Sequence, residues 1–538
     1  MDTSIREVTS EATIHEKKKL RKEFRLFDMI FFTASAIIGL DTLGVVSSQG
    51  GQALGWVLIS ALTYLLPYSM LTAELGSTFS QEGGVYEWCK LACGRFYAAL
   101  TTMFYWVSNP LWIGGTLAVT AVIAIKTLGF GKPNMLFGGS VVADAIITML
   151  IALVFIWGTT WSAIISLHAG KWLPVIGVYV RLGLFAVFIL LAIVFALSGH
   201  VSGAHITVTD LAPTSNWLVI ASAIFPVLVF AWSGPELQNG AGEEMRNPRR
   251  DVPLSIIRAC IVATVAHFVI IAAILFTLSK TQLSLASGFI SAYQIVTSVL
   301  PGPIIAGLGL LVTIAVVVAV ASHGGTWLIG ADRSYAISAL DRTAPMLLGR
   351  FSSRYGTPIA VNIMTGIVAS IAMAAAIIFT AANGGTTPAL FAIVLGFVLS
   401  VTTIIYMLIF PAYLILRYKY PNIRRPYQVP GGMVGAWIVT ALPFLYAAIG
   451  TVFILVPLDI SSSGVSRLTY EVAQFACLGI IVLLTAVFYI WGHLEKRNKD
   501  VVVQLNFTQE GTTEAVMNES IMNESMMNES VLNESVAD

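Results

Sequence analysis

The sequence predicts an all-α membrane protein with twelve transmembrane helices, and three observations carry that prediction. Apolar residues make up 57% of the 538-residue chain and charged residues only 11%, whereas a soluble protein carries about 25% charge to face water. The apolar residues gather into twelve runs, each long enough, at about 20 residues or more, to cross the hydrocarbon as a helix. The first and sixth runs are interrupted near their middles by glycine or proline together with an acidic residue.

Residues 1–26 form a charged arm, expected as a short helix or a disordered segment. The basic stretch Lys17-Lys18-Lys19-Leu20-Arg21-Lys22 leads into a first run too long, and too poor a cleavage substrate, for a signal peptide, so that run is a retained span. The spans are expected at 27–48, 53–79, 97–125, 140–163, 173–198, 216–238, 254–279, 304–330, 358–381, 388–416, 434–457 and 470–492. With the N-terminus inside, the outer loops hold only four basic residues, Lys126, Lys132, Lys280 and Arg467. Loops rich in Lys and Arg stay on the inner side, so both termini are expected in the cytoplasm of a multi-pass plasma-membrane protein. The segment 493–538 is a cytoplasmic tail in which Asn-Glu-Ser recurs at Asn518, Asn523, Asn528 and Asn533. That five-residue period fits neither helix nor strand and reads as disorder. Each repeat is formally a glycosylation sequon, but an inside tail does not meet that machinery.

Composition and motifs exclude several function classes. A net charge of +1 gives no support to nucleic-acid binding. Cys89, Cys93, Cys260 and Cys477 have neither metal-ligand nor disulfide-framework spacing, and no cofactor is expected. The one near match to a phosphate-cradling loop ends in Gly131-Lys132-Pro133 on the outside, and no His-Glu-x-x-His is present. An ATP-driven pump and a metal-dependent membrane enzyme both fall away, and His200 with His205 in an outer loop makes a weak metal candidate.

An ionisable group inside a span costs roughly 2.5–3.5 kcal/mol at the centre and asks for a functional reason. Five stand out: Asp41, Glu74, Asp144, Arg181 and Glu236. Glu74 and Asp144 lie near span ends, where a side chain reaches water. Asp41, within Gly39-Leu40-Asp41-Thr42-Leu43-Gly44, and Glu236, within Ser233-Gly234-Pro235-Glu236, sit near mid-span beside helix breakers. Backbone groups freed there must be satisfied by protein or by a water-filled cavity. Spans one and six open two sets of five, 27–198 and 216–416, with 434–492 supplying two extra helices. Interrupted segments at equivalent positions of two halves point to a transporter with inverted repeats and a midplane site.

The stretch Phe230-Ala231-Trp232-Ser233-Gly234-Pro235-Glu236, with Glu243-Glu244-Met245-Arg246-Asn247-Pro248-Arg249-Arg250-Asp251-Val252-Pro253 after it, resembles the sixth span and following loop of the amino acid, polyamine and organocation permeases. Glu82-Gly83-Gly84-Val85-Tyr86 and Tyr355-Gly356-Thr357-Pro358 resemble other parts of that family, and the likeness runs over about residues 25–495. It implies a leucine-transporter-like five-plus-five inverted repeat with helices 1 and 6 broken, working by alternating access.

The resemblance also implies a site. Family members hold a substrate carboxylate on amides of the first break and its ammonium on carbonyls of the sixth span, which puts the substrate against Ile38, Gly39, Leu40, Asp41 and Thr42, and against Phe230, Ala231, Trp232, Ser233 and Gly234. Phe230 matches an aromatic position that stacks on substrate and occludes it. Asp41 replaces a residue that is usually glycine, and a charged Asp41 repels a carboxylate placed close by. The run Asp41 to Ser47 also resembles span one of putrescine importers. Asp41 is open to three readings: salt bridging to an organic cation, carrying a proton, or pairing with Arg181. Arg181 aligns with a position where proton-coupled relatives often carry Lys, and it either replaces a sodium ion's charge or holds Asp41. Glu236 either links the broken helix to its neighbours or carries protons. The expected function is secondary active transport of amino acids or a closely related organic amine, by proton symport or exchange with a counter-substrate. A polyamine importer of the putrescine type is the runner-up, and a non-transporting amine sensor the third reading.

Overall fold

Inside hydrocarbon every backbone N–H and C=O must be paired within its own segment, so the apolar runs fold as helices. A computed structural model describes residues 4–10, 13, 16–20, 24–132, 140–166, 172–200, 212, 217–278, 288–382, 387–458, 466–495, 500–506 and 515–517. Lys280, His205 and the Asn-Glu-Ser repeats lie outside the described residues. The helices are α1 (Leu26–Ile37), α2 (Leu43–Ser47), α3 (Gln52–Thr78), α4 (Val85–Cys93), α5 (Arg95–Gly129), α6 (Val141–Ser166), α7 (Trp172–Leu197), α8 (Trp217–Ala231), α9 (Pro248–Thr277), α10 (Gly288–Thr297), α11 (Gly302–Leu340), α12 (Ile359–Ala382), α13 (Thr387–Lys419), α14 (Gly432–Leu455) and α15 (Arg467–Leu494). Among the described residues ten are long and apolar enough to cross a membrane.

The first expected span is two pieces. At 1.5 Å per residue, the 12-residue α1 reaches only about 18 Å before residues 38–42 leave helical geometry and α2 resumes. The sixth is interrupted likewise: α8 ends at Ala231, and after an unwound stretch the chain continues as a 3-10 segment, Leu237–Glu244. In α3 and α5, π-turns at Ala61–Leu65 and Ile113–Leu117 lie close to Pro67 and Pro110, whose missing N–H groups interrupt regular hydrogen bonding.

α5 runs through the middle of the bundle, packing against α11, α12 and α13. α1 packs against α9, α7 and α11, and α8 against α13 and α14. α15 lies at the rim, and its exposed Leu468, Val472, Ile480 and Leu483 suit a lipid-facing surface.

Glu74 departs from the expectation that it reaches water. It is only 1% exposed and is clamped by Arg417 through two contacts, one of them Nε–Oε1 at 2.7 Å, by Arg425 at 3.1 Å, by the Tyr413 hydroxyl at 3.0 Å and by the Val429 amide at 2.8 Å. A carboxylate that low in the span finds its compensation in α13 and the loop after it rather than in solvent. Asp144 pairs with the buried Lys126 at 2.7 Å.

At one end of the bundle the loops and the N-terminal arm knit together. Arg333 near the end of α11 donates to Glu82 at 2.8 Å and Glu244 at 3.0 Å, and Glu243 takes Lys17 of the arm at 2.7 Å. The Thr13 hydroxyl donates to the Leu340 carbonyl, Glu16 accepts from the Phe351 amide, and Phe24 exchanges backbone bonds with Glu244 and Arg246. Burial, with the Glu244 and Glu243 carboxylates alongside, pushes Glu82 up to about 8 against the pull of Arg333.

The terminal segments also contain strands, where the sequence reading expects a helix or no fixed structure. β1 (Ser4–Ser10) pairs antiparallel with β2 (Asp500–Asn506), which pairs with β3 (Ala515–Met517). The β-branched run Val501-Val502-Val503 favours extended backbone.

Candidate functional site

The end of a helix leaves its last carbonyls without intrahelical partners, and in mid-membrane they need donors. Around the break after α1 three side chains supply them. Arg181 of α7 donates from Nη1 to the Ser35 carbonyl at 2.8 Å and the Ile38 carbonyl at 2.5 Å, and from Nη2 to Ser35 Oγ at 2.7 Å. His323 Nε2 and Trp327 Nε1, both of α11, each lie 3.0 Å from the Ala36 carbonyl. A guanidinium here also sits at the negative end of the half-helix dipole. Among the described residues no ion pair joins Arg181 to Asp41: the guanidinium is committed to the backbone of the break.

The second break faces the first. Gly234 adopts φ +123°, and a Cβ there would meet the Ala36 Cβ at 2.8 Å, so glycine is what lets the two breaks touch. Glu236 lies behind this contact, where the hydroxyls of Tyr68 in α3, Tyr105 in α5 (3.0 Å) and Tyr406 in α13 (3.0 Å) donate to its carboxyl, together with the Gly234 amide at 3.2 Å. One side chain thus ties the α8 break to three helices.

Between the breaks is a cavity of about 30 Å³. Of the residues expected there, Gly39, Asp41, Thr42, Phe230, Ala231 and Ser233 line it, while Ile38, Leu40, Trp232 and Gly234 do not. Ile38 points its carbonyl at Arg181, and Trp232 turns its indole to Ser60 at 2.8 Å, beside His267. Leu40 lines a smaller pocket on another side of Asp41, with Gly44 and Gly288. Arg181 and Glu236 brace the walls from behind.

The remaining wall is aromatic: Tyr105, Trp112, Trp327 and Tyr406 join Phe230, with Trp112 edge-on to Phe230 at 5.8 Å and to Trp327 at 6.0 Å. Asp41 is 4% exposed; its Oδ2 accepts from Trp112 Nε1 at 2.7 Å, and its Oδ1 has no hydrogen-bond partner among the described residues. Asn109 Oδ1 and His323 Nδ1, in the same lining, are likewise buried without a partner. The N–H and O–H groups of Trp112, Trp327, Tyr105, Ser108, Ser233 and Tyr406 donate into the protein, and no described lining residue is Lys or Arg. Beside the Thr42 and Thr402 hydroxyls, the cavity thus offers buried unpartnered acceptors and aromatic faces, a setting complementary to a cation carrying N–H donors.

Sequence reasoning missed Asn109, Trp112, His323 and Trp327. Trp112 and Trp327 read as ordinary apolar span residues, but His323, a lone imidazole in the middle of a span, carried the same signal as the five acidic and basic residues singled out. Asp332 and Arg333 were missed because the eighth span was ended at 330, whereas α11 continues to Leu340.

A multi-pass helical bundle with a small aromatic-walled cavity, holding a few buried polar atoms, between two interrupted helices suits a membrane transporter. The fold is shared with a manganese transporter of Eremococcus coleocola, solved in complex with an aromatic bis-isothiourea substituted compound (TM-score 0.53, 14% identity, 87% of this chain and 93% of that one). The family pattern described as amino acid permease matches residues 24–484, and the chain belongs to that family. Two relatives from Lactococcus lactis subsp. lactis (strain IL1403) are similar over most of their length. The probable agmatine/putrescine antiporter AguD is 25% identical over 471 residues, 86% of this chain and 95% of its own. A glutamate/gamma-aminobutyrate antiporter is 22% identical over 495 residues, 90% and 93%. The expectation from sequence, a non-enzymatic carrier of amino acids or a related amine, agrees with this membership.

Proposed function

We propose that the protein exchanges organic amines across the plasma membrane by alternating access, with Asp41 as the cation's counter-charge. The observation that carries this is the cavity itself: one carboxylate oxygen without a hydrogen-bond partner, further unpartnered acceptors and aromatic walls, with no Lys or Arg in the described lining to receive a carboxylate. Similarity to a probable agmatine/putrescine antiporter supports the same substrate class. A twelve-helix, five-plus-five inverted repeat is supported by ten long helices plus shorter apolar ones at the two interruptions. The scarcity of basic residues in the outer loops supports cytoplasmic termini. Arg181, fixed among the carbonyls of the first break, supplies the positive charge a sodium ion would otherwise bring, which favours exchange without sodium. Glu236, with four donors on its carboxyl, acts as a structural link rather than a proton carrier.

The test is counterflow in proteoliposomes. Vesicles loaded with unlabelled putrescine are expected to accumulate labelled putrescine or agmatine, and empty vesicles are not. Exchange of glutamate or γ-aminobutyrate without any amine exchange would overturn the substrate class, and amine binding without accumulation would make the protein a sensor.

A further inference from the structure

We infer that Asp41, Asn109 and His323 together read a primary ammonium group, with His323 setting the specificity. This rests on the amine reading above and narrows it to head groups bearing three N–H donors.

Each of the three side chains is held at one end and unpartnered at the other. Asp41 gives Oδ2 to Trp112 and keeps Oδ1. Asn109 donates from Nδ2 to the Tyr105 carbonyl at 2.9 Å, which identifies the unpartnered atom as its oxygen. His323 faces the Ala36 carbonyl through Nε2. A carbonyl only accepts, so Nε2 carries the proton and Nδ1 of the neutral ring is left as an acceptor. All three are buried, at 4%, 1% and 5% exposure, and each is aimed by a bond to the protein rather than by the substrate.

Gly39 opens the space between two of them. A Cβ at that position would come within 2.9 Å of Asp41 Oδ1 and 3.0 Å of His323 Cε1, so the missing side chain leaves the carboxylate oxygen and the imidazole edge flanking one small volume. Three acceptors answer the three N–H donors of a primary ammonium. Replacing two of those hydrogens by methyl groups keeps the charge and the aromatic contact but strands two of the acceptors. A buried group left unpaired is penalised enough to discriminate about 10- to 100-fold.

The experiment measures exchange by the full chain in proteoliposomes, with putrescine and its N,N,N′,N′-tetramethyl derivative competing against labelled putrescine. The wild type is expected to prefer the primary diamine about 10- to 100-fold. His323→Phe, which keeps a ring and loses both nitrogens, is expected to shrink that preference about tenfold. His323→Gln, which keeps one donor for Ala36 and one acceptor for the substrate, is expected to restore it. If the wild type exchanges both compounds equally, or His323→Phe leaves the ratio unchanged, the specificity role is overturned and the amine reading stands. If the wild type exchanges neither, both fall. Should His323→Phe fail to fold, the wild-type ratio and the Gln variant still decide.

Discussion

Asp41 and Arg181 are close in the fold, yet they serve different partners. Asp41→Asn keeps an oxygen for the Trp112 indole and removes the counter-charge proposed for the substrate. Losing one member of a buried, hydrogen-bonded charge pair costs about 2–5 kcal/mol, or about 30-fold and more in affinity. Putrescine exchange should fall by at least that much while the variant's melting temperature stays near that of the wild type. Arg181→Met bares the Ser35 and Ile38 carbonyls at about 1–3 kcal/mol each, so this variant should melt earlier in detergent, with Arg181→Lys between it and the wild type. Residues of this kind are legible in sequence because an ionised group in an apolar run has no cheap place to go. Asn109 and Trp112 are not, since their importance comes from which end of each side chain the surrounding fold has already used.

At the scale of elements, glycine and proline beside an acidic residue at mid-span are expected to interrupt a helix, and α1 ends at Ile37 and α8 at Ala231, a few residues before Asp41 and Glu236. What the sequence concealed was how those elements are held. Glu74 fastens α3 to α13 and the loop beyond it, a partnership between residues more than 300 positions apart that no local pattern announces. Glu74→Ala leaves Arg417 and Arg425 buried without their shared carboxylate, and breaking a buried pair from one side costs about 3–5 kcal/mol. Thermal unfolding should register that loss, whereas Arg467→Ala, which removes the exposed Arg467–Glu471 pair, should stay within about 1 kcal/mol. The short α4 and α10 lie in segments the sequence reading left as loops, and the terminal strands depend on pairing Ser4–Ser10 with a segment almost 500 residues away.

Across the whole molecule, the end carrying the N-terminal arm is closed over a buried Glu82, whose carboxyl lies between Arg333 and the Glu243 and Glu244 carboxylates. The Glu82 carboxyl, raised to about 8 in this closed arrangement, binds its proton more tightly there than when opened to water, where it returns to an ordinary value near 4.5. Between those values the closed form holds the extra proton, so closure is favoured as pH falls from about 8, in full below about 4.5, and is progressively lost as pH rises through that window. Exchange limited by opening of this end should therefore slow as pH drops from 8 to 5 on that face of the membrane, and Glu82→Gln should flatten the profile. A pH response unchanged in Glu82→Gln would assign the dependence elsewhere.

The bond from Trp112 to Asp41 makes the protein its own optical indicator. Indole emission responds to the electric field across the ring, and a cation bound at the carboxylate, as proposed, would change that field. Titration with putrescine should shift the tryptophan fluorescence, and Trp112→Phe should remove most of the shift. Occupancy of the site then becomes observable in unlabelled protein.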